Sequence, residues 1–132
     1  MILVDSSAWV EFDRATGSST DRAVTKLIRE GGINLAVSEP ILMEVLAGGT
    51  DDRRRGDLRR LLTAFEWIPC DPVADFEAAA KIYRSCRSVG VTPRGLIDCM
   101  IAAVAIRSGA ELLTADHDFA AIARVVPLQL AG

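Results

Sequence analysis

Five carboxylates stand where a side chain that merely seeks water is out of place. Asp5 directly follows the apolar run Ile2-Leu3-Val4. Glu44 is the one charged residue in PILMEVLAG, and Asp98 the one charged residue from Leu96 to Ile106. Asp116 and Asp118 form TADHDF immediately after ELLT. Each has a plain structural reading. Asp5 can cap the next helix, Glu44 can point to solvent, and one of Asp116 and Asp118 can cap a final helix. Asp98 shares a helical face with Ile101, Ala102 and Ala105, so it needs a partner, because burying an unpaired carboxylate costs several kcal/mol. That partner is Arg94, Arg107 or a metal ion. If the five acids meet, they repel one another and raise one another's pKa values unless a cation neutralises them.

The ligand types available narrow the ion. The chain has a single histidine, His117, and three cysteines, Cys70, Cys86 and Cys99, with no C-x-x-C spacing. This argues against zinc and against a disulfide framework, and predicts packed thiols in a reducing, cytoplasmic setting. No Ser-His or Cys-His arrangement supplies a nucleophile. An all-oxygen set favours Mg²⁺, or Mn²⁺ in its place.

The net charge of -3 argues at first against a nucleic-acid partner. Setting aside the five acids leaves 15 basic against 13 acidic side chains, a mildly basic remainder that tolerates a phosphodiester. Thirteen of the 15 basic residues are arginine, and DDRRRGDLRR concentrates Arg53, Arg54, Arg55, Arg59 and Arg60. The run reads either as a solvated helix face with Asp51 pairing to Arg55 or as a set of phosphate contacts, for which arginine is well suited. Arg94, one turn before Asp98, joins it as a candidate RNA contact.

These residues must be held by a scaffold, and the 132 residues, half of them hydrophobic, can bury one core. No apolar run is long enough for a membrane span, and MILVDSSAW reads as a strand rather than a secretory leader. Strand and helix alternate. Ile2 to Val4 reads as a strand, Trp9 to Arg14 as a short helix, and Val24, Leu27 and Ile28 mark a second helix ended by Gly31-Gly32. Ile33 to Val37 is the second strand; Ser38 and Pro40 start a helix over Ile41 to Leu46. Leu58, Leu61, Leu62 and Phe65, then Phe76, Ala79, Ala80 and Tyr83, give two apolar helical stripes. Thr92-Pro93 opens a helix with Ile97, Met100, Ile101 and Val104 inward. Glu111 to Thr114 is a strand, Asp118 to Arg124 a short helix, and Val126 to Leu130 a final edge strand. The alternation predicts an α/β fold: one domain spanning 1–132, three layers, and a short, mostly parallel central sheet. Sites in such sheets form at the carboxyl ends of strands.

The ordered set VDSSAW, PILMEVLAG, IDCMIAA and TADHDF resembles the PIN domain, and more narrowly the VapC ribonuclease toxins of type II toxin–antitoxin pairs. The resemblance covers essentially the whole chain. It implies that Asp5, Glu44, Asp98 and Asp116 are a catalytic acidic quartet, with Asp118 a fifth metal ligand and Asp5 and Asp98 central. It implies that Ser7 and Thr114 support the ligands; Ser6 stands where the family commonly has Thr. His117 matches no motif position with a role. The implied activity is Mg²⁺-dependent endoribonuclease cleavage of RNA, structured RNA such as tRNA included. The implied partners are a VapB-type antitoxin and a second copy of the chain. Trp9, Val10 and Phe12, on or near the first helix, form either core or an apolar groove for an antitoxin helix.

Other readings compete. A phosphotransfer receiver would want paired acids after the first strand and a late lysine, but the only lysines are Lys26 and Lys81 in helices. A phosphatase with an Asp nucleophile would want Asp where Ser7 stands. A PIN nuclease acting on DNA or in RNA processing remains compatible with the residues. A non-catalytic PIN-like binding module predicts loss of an acid, and none is missing.

Overall fold

A computed structural model describes residues 1–49 and 51–132 of the chain. Four short strands, β1 (Ile2–Val4), β2 (Leu35–Val37), β3 (Glu66–Trp67) and β4 (Glu111–Leu113), form one sheet in the order β3-β2-β1-β4, with every pairing parallel. Parallel neighbours require crossovers, and helices supply them. Helices α1 (Ser6–Asp13) and α2 (Ser19–Arg29) lie between β1 and β2, and α3 (Glu39–Ala47) and α4 (Asp52–Leu62) between β2 and β3. Helices α5 (Ala74–Ser88) and α6 (Leu96–Ser108) precede β4, and α7 (Asp118–Ala123) follows it.

Successive side chains of a strand face opposite sides of a sheet. Leu3 and Val4, and all three residues of β2, are completely inaccessible, so helices cover both faces and the three-layer expectation holds. Trp9, Ile41, Leu62, Ile101, Leu112 and Phe119 fill the space between the layers. Gly32 closes α2 with φ +69°, and a Cβ there would lie 2.5 Å from the Phe65 ring, so this turn admits only glycine. Asp75, at the start of α5, receives Arg107 from the end of α6 at 2.8 Å, which fixes the two helices antiparallel.

The chain order determines where a site can form. From β1 the chain moves outward through β2 to β3, then returns to place β4 on the other side of β1. The strand order reverses between β1 and β4, and the crevice beyond their carboxyl ends is the topological switch point. The Asp5 N–H donates to the Leu113 carbonyl at 2.9 Å, carrying the pairing one step past both strands. The segments holding Asp5 and Thr114–Asp118 therefore start side by side.

Several boundaries differ from expectation. The edge strand at Val126–Leu130 reduces to one parallel bridge, Leu112 with Leu130, because Pro127 lacks a donor and breaks the ladder. The helix placed at Thr92-Pro93 starts only at Leu96, leaving Val91 to Gly95 as a loop. The first helix begins at Ser6, directly on the Asp5 cap, rather than at Trp9. Strand β2 excludes Ile33, which is 73% exposed. Helix α4 stops before Phe65, which still packs against the core.

Candidate active site

Asp5 is both cap and core residue. Its Oδ2 accepts Ser7 Oγ at 2.6 Å, Thr114 Oγ1 at 3.0 Å and the Ser7 N–H at 3.4 Å. Ser7 and Thr114 are themselves held: Ser7 Oγ accepts the Ala115 N–H and Thr114 Oγ1 the Asp116 N–H, each at 3.0 Å. A clasp of two hydroxyls thus joins the end of β1 to the end of β4. The other carboxylate oxygen, Oδ1, is buried and has no hydrogen-bond partner among the described residues. Asp5 is 2% exposed. Burial pushes its pKa up, against the pull of Ser7, Thr114 and the backbone amides.

Glu44 does not point freely into solvent. Its Oε1 accepts Ser6 Oγ at 2.9 Å. Burial raises its pKa, Ser6 lowers it, and the charges of Asp5 and Asp116 raise it again. Sequence reading assigned Ser6 no task; the signal was its position one residue after Asp5, on the first turn of α1.

Asp98, in the first turn of α6, has no ion-pair partner among the described residues. Both arginines offered for it by sequence are engaged elsewhere. Arg107 binds Asp75, and Arg94 lies 3.2 Å from Asp118 and 3.8 Å from Asp116. Burial, then the charges of Glu44, Asp5 and Asp116, push the Asp98 carboxyl up to about 6, with Arg94 opposing. Asp98, Asp116 and Asp118 each place one oxygen within 4.8 Å of the others, a spacing that suits one shared cation. Asp5 and Glu44 act on Asp98 of this set through their charges. Asp116 has a second task, since its Oδ1 accepts the Asp118 N–H at the start of α7 at 2.9 Å.

The arginine run lies on exposed α4. The expected Asp51–Arg55 pair does not form. Asp51 caps the helix through the Arg53 and Arg54 amides, and Arg55 pairs with Asp52 instead. Arg54 reaches Asp13 at 3.2 Å, Arg60 pairs with Asp57, and Arg53 and Arg59 have no acidic partner among the described residues. Trp9 is fully buried yet contributes to the lining of the adjoining groove, and its indole N–H finds no partner among the described residues. Exposed Val10 lines a groove of about 290 Å³ with Val45, Leu58 and Arg54, and Glu44 stands at its edge.

Comparison with known proteins fits this geometry. The PIN domain family matches residues 2–125. Ribonuclease VapC11 of Mycobacterium tuberculosis is 47% identical over 132 residues, covering 100% of this chain and 98% of the relative. This chain belongs to the VapC family of PIN domains. Two crystal structures share the fold. The DNA-bound VapBC of Salmonella typhimurium matches with a TM-score of 0.77 at 16% identity, covering 98% of this chain and 96% of that one. The VapBC2 of Rickettsia felis, bound to a DNA fragment from its promoter, matches with a TM-score of 0.75 at 20% identity, covering 99% and 98%. No helix among the described residues is long and apolar enough to cross a membrane.

Proposed function

We propose that this single-domain chain is a Mg²⁺-dependent endoribonuclease, the toxin of a toxin–antitoxin pair, acting in the cytoplasm on RNA, structured RNA such as tRNA included. One observation carries the reading: Asp5 keeps a buried Oδ1 with no partner among the described residues, beside acids that repel one another. Native proteins rarely leave a buried acceptor unsatisfied. A divalent cation satisfies it and removes the repulsion at once. The donor set fits Mg²⁺ or Mn²⁺: oxygen only, with Asp116 and Asp118 partly exposed, which leaves room for retained waters. Asp5, Glu44, Asp98, Asp116 and Asp118 would hold the metal.

A divalent ion held by these acids would lower the pKa of a water for attack on phosphorus and offset charge on the leaving oxygen. The protein's own residues do the rest. Ser7 and Thr114 orient Asp5, and Ser6 orients Glu44. Arg94 and the free arginines of α4, Arg53 first, bind flanking phosphates, with Arg54 and Arg55 available once they leave Asp13 and Asp52. No protein nucleophile is needed.

The antitoxin, a VapB-type protein, places an amphipathic helix in the groove beside Val10, Val45 and Leu58, next to Glu44. A second copy of the chain would meet the apolar cleft of Met43, Phe76, Ile97 and Met100, where Met43 and Phe76 are more than half exposed. The deciding experiment incubates purified protein with total RNA in Mg²⁺, in Mn²⁺ and in EDTA, alongside Asp98→Asn. Discrete fragments only with metal and only from the wild type are expected. Cleavage in EDTA, or by Asp98→Asn at the wild-type rate, removes the assignment. Cleavage of single-stranded DNA in preference to RNA would turn it to the DNA-cutting alternative.

A further inference from the structure

Arg94 sits on the Val91–Gly95 loop, outside any helix, and its side chain is 74% exposed. Helix α6 begins behind it at Leu96, and the cap residue Gly95 offers no side-chain cap. The guanidinium lies 3.2 Å from Asp118 Oδ2 and 3.8 Å from Asp116 Oδ2. These are two of the three carboxylates whose oxygens cluster within 4.8 Å. The third, Asp98, has no ion pair among the described residues, and the unsatisfied oxygen of buried Asp5 belongs to the same group of acids. Arg94 is thus the only cationic side chain paired with this cluster among the described residues.

We propose that Arg94 is a built-in counter-ion that competes with the divalent cation for Asp116 and Asp118 and, when displaced, turns to a phosphate of the bound nucleic acid. The inference rests on the reading of these acids as a metal site. Its logic is electrostatic. Arginine keeps its charge at any physiological pH, so it cannot yield by losing a proton. Two cations within a few Å of each other repel, so the arrival of one moves the other. Movement is cheap here, because an exposed ion pair holds weakly and the loop side chain is free on its solvent side. The guanidinium fork then suits a phosphate better than a lysine would. Without metal, Arg94 holds Asp116 and Asp118 together and keeps the acids near their binding positions. With metal, it adds positive charge at the place where the substrate enters.

The test needs no catalysis. Mn²⁺ binding is followed by the electron paramagnetic resonance of free Mn²⁺ for the wild type, Arg94→Gln, Arg94→Lys and Asp98→Asn. Binding of a short single-stranded RNA is measured by fluorescence anisotropy with Ca²⁺ and with EDTA, the RNA being checked on a gel for integrity. Removing the competitor should tighten Mn²⁺ binding about two- to fivefold in Arg94→Gln, the range an exposed ion pair supports. RNA affinity of that variant should fall only in Ca²⁺, with the log–log salt slope reduced by about 0.7. Arg94→Lys should fall between the two for Mn²⁺. Unchanged or weaker Mn²⁺ binding by Arg94→Gln, or an equal RNA loss in Ca²⁺ and EDTA, overturns the competition. A wild type that binds no more Mn²⁺ than Asp98→Asn overturns the metal site itself, and the competition with it.

Discussion

Asp98→Asn should stabilise the metal-free protein while abolishing its function. The substitution keeps the shape of the side chain and removes its charge. In the folded state the Asp98 carboxyl is pushed from 3.8 up to about 6, first by burial and then by Glu44, Asp5 and Asp116. At roughly 1.4 kcal/mol per pKa unit, the full shift corresponds to about 3 kcal/mol. Asp98 is only half-buried, and screening by water reduces this to about 1–2 kcal/mol. For a domain of this size that is a rise of roughly 3–8 °C in Tm.

The pH dependence follows from the direction of the shift. A carboxyl with a raised folded pKa binds more protons folded than unfolded between about pH 4 and 6, so stability falls as pH rises through that window. Above it the charged form carries the full cost; below about pH 4 both states are protonated and the cost vanishes. Differential scanning fluorimetry in EDTA should therefore show Asp98→Asn melting above the wild type near pH 7.5, with the gap closing between pH 6 and 4. Added Mg²⁺ should raise the wild-type Tm and leave the variant unmoved, since only the form that binds ligand gains stability from it. A gap of the same size at both pH values, or a variant that melts lower near pH 7.5, refutes the charge argument.

Replacing Arg53, Arg54 and Arg55 together by Ala should weaken RNA binding and flatten its salt slope by about 0.7 per lost phosphate contact, leaving Mn²⁺ affinity unchanged; an unchanged slope returns α4 to a solvated face. The Asp75–Arg107 pair should break asymmetrically, as urea melts would show. Arg107→Ala strands a carboxylate that is 1% exposed and should cost about 3 kcal/mol or more, whereas Asp75→Ala strands a guanidinium already 39% exposed and should cost about half that. Equal losses, or a larger one for Asp75→Ala, would refute the assignment of the burial cost to Asp75.

What the sequence discloses about this site depends on whether the signal is local. Asp5 is visible because it ends an apolar run, and Asp98 because it interrupts one. Their chain-local surroundings announce that something unusual holds them. The alternation of strands and helices is also local, and it suffices for the three layers. Partner choice is not local. Arg94 and Arg107 are the arginines that flank Asp98 in sequence, yet the chain gives one to Asp116 and Asp118 and the other to Asp75, 32 residues away. Ser6 reaches Glu44 across 38 residues, a pairing that exists only once α1 and α3 share an end of the sheet. Strand β3 escapes for a different reason. It has two residues, Glu66 and Trp67, too few for any alternation to register. Trp9, which the sequence leaves open between core and groove, is inaccessible and packs at 6.0 Å against the Phe65 ring.

Asp5 and Asp75 together show what separates a carboxylate that builds the fold from one kept for a ligand. They are equally inaccessible, at 2% and 1% exposed. Burial raises the pKa of both. At Asp75 the Arg107 hydrogen bonds and charge, with the Asp71 amide, overcome it and hold the group below the usual value. At Asp5 two hydroxyls and two amides do not, and the pKa stays raised. A guanidinium beside Asp5 would have settled its charge as thoroughly as it settles that of Asp75. The chain instead offers neutral donors that fix the carboxylate's orientation through one oxygen and leave the other without a partner among the described residues. Among the described residues the cationic side chain paired with the acidic set is Arg94, on Asp116 and Asp118, with 74% of it exposed. Full neutralisation would have made the crevice between β1 and β4 more stable and would have closed it to a metal ion. On the proposed metal reading, the residual cost at Asp5, Glu44 and Asp98 is what a cation from outside would relieve.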